Sequence, residues 1–255
     1  MKNIILNEKY NSEKIFFERA KGDKIFYKNK SYNDLSFCSG AIFLGHNHPL
    51  FKKSINEYLK NNFSIFSNPN TQAIKLSKNI KFFFSNFYKI IYCSSGSEAV
   101  VKALRISRAT NKKKKKILVT GSWHGSTDNT LFYPGKNLVP EILSAGIKDS
   151  DKKNTIFIPY NDFNNSKKIL DNKKKDINCV IIEPVMGSLP NDHSKPYLKF
   201  LERYCKKNKI NLIFDEIITG FRSEKGSVQK KYNIKPDITL IGKILGGGLP
   251  IGAIG

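Results

Sequence analysis

Acidic residues are scarce: 21 Asp and Glu face 44 Lys and Arg in a chain of 255, leaving a formal charge of +23. An excess of this size raises the question of a polyanion partner, because clustered lysines displace counterions from phosphate backbones. The runs Lys112 to Lys116 and Lys173 to Lys175 each precede an apolar stretch, where a solvated connecting turn is expected. Lysine, asparagine, isoleucine and phenylalanine abound along the whole chain, so the charge reads as a compositional bias and no nucleic-acid partner is expected. Cysteine is scarce as well. Cys38, Cys93, Cys179 and Cys205 are far apart with no C-x-x-C pair, which argues against a disulfide framework or a zinc site and leaves them as reduced core residues. No apolar run reaches about eighteen residues, and the opening M-K-N-I-I-L-N-E-K-Y lacks the basic-then-apolar order of a secretion signal. The expectation is a soluble, cytoplasmic protein with no membrane contact.

Several motifs are missing too. Neither G-x-x-x-x-G-K-[ST] nor G-x-S-x-G occurs, which excludes a Walker phosphate loop and a nucleophile elbow. His46 and His48 in G-H-N-H-P have same-face spacing, but neither a carboxylate nor a cysteine stands beside them, so no metal is expected. His193, in N-D-H-S-K-P, reads as a turn residue.

What is present is globular in composition, with 40% hydrophobic and 12% aromatic residues. Short apolar runs alternate with amphipathic stretches, the pattern of strand-helix units that build a mostly parallel sheet with helices on both faces. Strands are expected at Lys89 to Cys93, Ile117 to Thr120, Cys179 to Glu183, Asn211 to Asp215 and Ile238 to Ile241. Helical faces are expected from Val100, Ala103, Leu104 and Ser107, and from Tyr197, Leu198, Leu201, Tyr204 and Cys205. Two earlier helices follow Pro49 and open near Thr71. Lys24 to Tyr27 and Leu35 to Cys38 read as short strands or an extended arm. The expected organisation is an amino-terminal arm over 1–45 and a large α/β domain over 46–255.

Ligands in such sheets sit beyond the carboxyl ends of the strands. The residues just past the five expected strands are chemically loaded: Ser94-Ser95-Gly96-Ser97, Gly121-Ser122-Trp123-His124-Gly125, Glu183-Pro184, Asp215-Glu216 and Gly242-Lys243. The first group joins a strand to a helix through small hydroxyl residues, which makes either an anion cradle at the helix start or an ordinary cap with Ser97 as the capping residue. Asp215 ends a buried strand and needs a cationic or hydrogen-bonding partner to stay charged. A protonated pyridine nitrogen would serve, and so would a structural salt bridge or cap. Trp123, the single tryptophan, could stack on a flat heteroaromatic ring or pack in the core. Lys243 follows a buried strand into a glycine-rich bend, where partial burial favours a neutral amine able to condense with an aldehyde.

Taken in order, G-A-I-F-L-G-H-N-H-P, S-S-G-S-E-A, W-H-G, I-I-E-P, F-D-E-I-I-T-G-F-R, P-D-I-T-L-I-G-K and G-G-G-L-P-I-G-A make the chain resemble the class III aminotransferases of the pyridoxal-phosphate fold type I over nearly its whole length. Within them, T-G-F-R-x-x-x-G-x-V-Q and P-Y-N-D are most similar to the glutamate-1-semialdehyde 2,1-aminomutases. The resemblance implies pyridoxal 5'-phosphate as cofactor and a cofactor site of Ser95, Gly96, Ser97, Trp123, His124, Glu183, Asp215 and Lys243. Ser95, Gly96 and Ser97 would hold the phosphate, Trp123 would stack on the ring, Asp215 would pair with its nitrogen, Lys243 would carry the cofactor and move the proton, and Glu183 would order the site. It implies aminomutase chemistry yielding 5-aminolevulinate for tetrapyrrole synthesis, or else a class III aminotransferase acting on another small amine or amino sugar. Ile218, where ornithine- and 4-aminobutyrate-type members commonly have glutamine, favours the aminomutase. Ser188, where the aminomutase often has asparagine, and the lack of its amino-terminal serine-arginine stretch speak against it. A non-catalytic basic binding protein on the same fold fits the intact lysine, aspartate and glycine-serine elements less well. The resemblance also implies a homodimer, and a carboxyl-terminal small domain beyond Gly255, so the chain is expected to be a fragment or one half of a split enzyme.

Overall fold

The computed structural model describes residues 16–61, 70–190, 194–223 and 225–255. The first part of the expected arm and His193 lie outside these residues. The chain divides into two compact units, Met1–Asn68 and Pro69–Gly255.

In the first unit, β1 (Arg19–Lys21), β2 (Lys24–Tyr27) and β3 (Lys30–Asn33) form an antiparallel sheet. The strand expected at Leu35 to Cys38 is instead a bend leading into the single turn α1 (Phe37–Gly40), with φ of 45°, 53° and 56° at Phe37, Cys38 and Ser39. Asp34 is the cause. Its Oδ1 accepts the N–H groups of Ser36 (2.8 Å) and Phe37 (3.0 Å), an Asx-type turn that competes with an extended chain. Its Oδ2 lies 2.7 Å from His46 Nε2, which gives one of the G-H-N-H-P histidines a carboxylate partner. Cys38 is exposed, not a core residue, because this bend turns it outward. The helix α2 (Pro49–Asn61) then starts at a proline, whose missing N–H costs nothing in a first turn.

The second unit opens with α3 (Thr71–Phe83), whose Ala73 N–H is capped by Asn70 at 2.8 Å. There follow β4 (Ile91–Cys93), α4 (Gly96–Asn111), β5 (Lys115–Val119), and the small antiparallel pair β6 (Phe132–Pro134) and β7 (Pro140–Ile142). Next come α5 (Asp149–Lys153), β8 (Thr155–Ile158), α6 (Phe163–Lys173), β9 (Ile177–Ile182), α7 (Lys195–Asn208) and β10 (Asn211–Asp215). The described chain finishes with α8 (Val228–Tyr232), β11 (Ile238–Ile241) and β12 (Gly252–Ile254).

Among the described residues the main sheet has the order β4-β12-β11-β10-β9-β5-β8. The central neighbours are parallel, and β12 runs antiparallel to both β11 and β4. Every residue of β9 is buried, as expected of a strand covered on both faces. One core cluster gathers Tyr197, Leu198, Leu201 and Cys205 of α7 with Leu170 of α6. The other gathers Ala99, Val100, Ala103 and Leu104 of α4. The helical faces expected from periodicity are therefore the buried ones.

The five expected strands are present, and β8 and β12 join them. The lysine run is not wholly a solvated turn, since Lys115 and Lys116 belong to β5 and Lys116 is buried. Its Nζ donates to Thr155 Oγ1 at 2.7 Å and lies over the Phe132 ring, 5.4 Å from its centre, while burial pulls its pKa down to about 8.

Candidate functional site

At the carboxyl ends of the parallel strands, a cavity of about 210 Å³ is lined by Ser95, Gly96, Ser97, Trp123, Gly125, Glu183, Asp215, Ile217, Ile218 and Lys243. All five strand ends singled out in the sequence contribute to it. Of the eight expected site residues, seven line the cavity. His124 stands behind it.

The wall of small residues is the start of α4. Ser95, in extended backbone, is the cap of this helix, its Oγ accepting the N–H of Glu98 at 3.1 Å. Ser97 is thus not the cap but sits in the first turn, where its Oγ accepts the N–H of Ser126 at 3.2 Å. Glu98 accepts in return from the N–H of Ser94 at 2.8 Å, so strand end and helix start are locked together. First-turn amides have no partner inside a helix, and the dipole adds positive potential there. A Cβ on Gly96 would lie 2.8 Å from Ile217 Cδ1, and one on Gly125 (φ +81°) 2.4 Å from Ser97 Oγ. The cradle is therefore walled by bare backbone that side chains would fill.

Opposite lies a layer of carboxylates. Asp215 is buried; its Oδ2 stands 2.8 Å from His124 Nδ1 and its Oδ1 accepts the N–H of Ile217 at 3.1 Å. Glu183 accepts from the backbone N–H of Trp123 (3.0 Å) and of Gly187 (3.3 Å). Burial pushes the Glu183 pKa up, aided by the nearby Asp215 and opposed by those donors. Lys243 has φ of 46°, a left-handed backbone that a non-glycine residue adopts at some cost. Burial holds its ammonium below the usual lysine range, the Glu183 and Asp215 carboxylates opposing and the Arg222 guanidinium assisting. Trp123 is half exposed at the rim, not packed in the core. Ser188 lies outside the cavity, its hydroxyl donating to Gly121 O at 3.1 Å.

Sequence reasoning missed one partner, Ile217, which shapes the cradle by close approach to Gly96; Gly125, already singled out beyond its strand, does the same against Ser97.

An anion cradle, a buried carboxylate and a part-buried lysine at the strand ends of a mostly parallel α/β sheet define the large domain of an aminotransferase-type fold. The family model for aminotransferase class-III matches residues 5–255, and the chain belongs to that family. It is 38% identical over 250 residues to a glutamate-1-semialdehyde 2,1-aminomutase from Thermodesulfovibrio yellowstonii, an alignment covering 94% of this chain and 57% of the relative. An omega-transaminase from Sphaerobacter thermophilus superimposes with a TM-score of 0.87 at 25% identity, over 94% of this chain and 57% of that one. A transaminase with PLP bound gives 0.85 at 26% identity with the same coverage. The chain spans little more than half the length of these relatives.

Proposed function

We propose that the chain forms the cofactor-binding part of a pyridoxal-phosphate enzyme, and that the whole enzyme is a glutamate-1-semialdehyde 2,1-aminomutase acting as a homodimer. One observation carries the cofactor reading: the first turn of α4, Asp215 and Lys243 face one cavity from three strand ends. The residues fit such a group, since an anion, a protonated ring nitrogen and an aldehyde each find a counterpart there. When bound, pyridoxal phosphate supplies an aldehyde that links to amines and a ring that draws electrons from the neighbouring carbon.

The geometry supports the following contributions from the chain itself. Ser95, Gly96 and Ser97 hold the phosphate through hydroxyls and first-turn amides. Asp215 presents a buried negative charge that keeps a ring nitrogen protonated. Trp123 covers the ring from the rim and excludes water from one face. Lys243 anchors the cofactor, and because burial brings its amine closer to neutrality it can also take a proton from one substrate carbon and return it to the next. Glu183 holds the Trp123 loop in place. Ile218 packs over Gly187, where a Cβ would come within 2.2 Å of its Cδ1, and presents an apolar side chain to the cavity.

The aminomutase assignment draws on the 38% identity to a protein of that name and on Ile218 at the cavity wall. Glutamate 1-semialdehyde should be consumed, with 5-aminolevulinate formed, without an external amino donor. A strict need for a second amino acid would support the other reading, an aminotransferase for a different small amine, which the likeness to an omega-transaminase favours.

A further inference from the structure

A second concave surface lies far from the cofactor cavity. At the amino ends of β10 and β11, a groove of about 820 Å³ is bordered by Tyr88, Arg203, Lys206 and Lys235. Leu212, near the start of β10, and Asp237, just before β11, also line it, which puts it at the end of the sheet opposite Asp215 and Lys243. Arg203 borders a further groove of about 270 Å³ as well, beside Lys207, so the two grooves join along α7. Residues 203, 206 and 207 are spaced by three and four and share one face of that helix.

Positive charge that is scattered in the sequence is gathered here, and the acidic residues of the grooves are engaged elsewhere. Asp171 is taken by the Lys167 ammonium (2.6 Å) and the Tyr204 hydroxyl (2.8 Å). Glu202 is taken by Lys199 (3.0 Å) and the backbone N–H of Lys235 (2.7 Å), and Asp237 accepts the N–H of Leu212 at 2.8 Å. Arg203, Lys206, Lys207 and Lys235 make no ion pair among the described residues. Tyr88 adds a flat ring that is 95% exposed. An acidic peptide would need the cations alone, whereas a strand of unpaired bases also uses the ring, because every base has a face that stacks on an aromatic. An open groove running on into another suits a polymer better than a small ligand, which is held by enclosure. We infer that the joined grooves bind single-stranded nucleic acid, the four cations neutralising phosphates and Tyr88 stacking on a base. The site is separate from the cofactor cavity and does not depend on it.

The test titrates the full chain into a fluorescein-labelled uridine oligonucleotide about 12 residues long and, separately, into an oligoglutamate peptide of about the same length, read by fluorescence anisotropy. Neutralising four phosphates of a single strand predicts a salt slope near about −2.8, so Kd should rise about fiftyfold between roughly 50 and 200 mM KCl. The double variant Arg203→Glu/Lys206→Glu should weaken oligonucleotide binding about tenfold or more. Lys75→Glu/Lys78→Glu makes the same change of charge at exposed positions of α3 outside both grooves and should stay within about threefold. Tyr88→Leu should weaken the oligonucleotide about tenfold and leave the peptide unchanged. Every substituted side chain is exposed, so the fold should survive in each variant. Equal losses in the two double variants would reduce the effect to overall charge and overturn the inference. So would an unchanged oligonucleotide affinity in Tyr88→Leu, peptide binding as tight as that of the oligonucleotide, or no binding at the lower salt.

Discussion

Glu183 accepts the backbone N–H of Trp123 at 3.0 Å, and this bond ties the end of β9 to the loop after β5. The other oxygen takes the Gly187 N–H at 3.3 Å, so one buried side chain fastens two loops around the cavity. Replacing Glu183 by Met leaves both amides without their acceptor. A buried donor left unpaired costs about 1–3 kcal/mol, so urea unfolding should show a loss of roughly 2 kcal/mol or more, together with weaker pyridoxal-phosphate retention. An unchanged midpoint would show that the two loops hold their shape without the tie.

Glu216 predicts a pH dependence of stability. Burial pushes its pKa from 4.5 up to about 7, against the opposing donors Val228 N–H (2.9 Å), Gln229 N–H (3.1 Å) and the Thr219 hydroxyl (3.1 Å). The folded chain then holds the proton more tightly than the unfolded chain. Its contribution is fully present below about pH 4.5 and is lost as pH rises through about 7. Stability at pH 7.5 should fall below that at pH 5 by up to about 3 kcal/mol from this group. Glu216→Gln should flatten that part of the profile in denaturant titrations at the two pH values; an identical slope in variant and wild type would remove Glu216 as the cause.

Lys243 should be the point of cofactor attachment. Borohydride reduction of the chain loaded with pyridoxal phosphate should fix the label on the peptide containing Lys243, read by mass spectrometry. Stable labelling of Lys116, whose pKa burial also lowers, would sink the assignment.

Asp215→Asn nearly preserves shape and removes charge. Asparagine can still accept from Ile217, so the fold should survive with a near-native circular dichroism spectrum. A charge-assisted hydrogen bond to a ring nitrogen is worth about 2–3 kcal/mol, so turnover of the complete enzyme should drop by roughly 30- to 150-fold or more. Near-normal turnover would refute the role of the carboxylate.

The parts of the site that could be read in sequence are those fixed by the strand-end rule. Asp215 ends an apolar run whose bounds the structure repeats as Asn211–Asp215, and Lys243 follows Ile241 by two residues. What escaped was set by packing between distant segments. His124 and Asp215 are 91 residues apart, and the strands that carry them toward each other, β5 and β10, are separated by β9, so their contact has no local signal. Lys116 looked like one more surface lysine because nothing local shows that Thr155 and Phe132 will receive its amine. β12 hid among glycines: its strand of three residues, Gly252–Ile254, owes its place to pairing with β4 and β11 on either side. The cap moved from Ser97 to Ser95 for a simpler reason, since either serine satisfies the pattern and only backbone angles choose between them.

The cradle and the carboxylate stand on strands of different standing. Asp215 ends β10, with β11 and β9 on either side, whereas the serine-glycine turn hangs from β4 at the margin of the sheet, which among the described residues pairs with β12 alone over three residue pairs. Backbone amides of a margin strand open to solvent more readily than those at the centre. A ligand spanning both would act as a strut between the margin of the sheet and its middle. Its arrival should be audible in deuterium uptake, as slowed exchange at Ile91 to Cys93 with little change at Ile213 and Phe214.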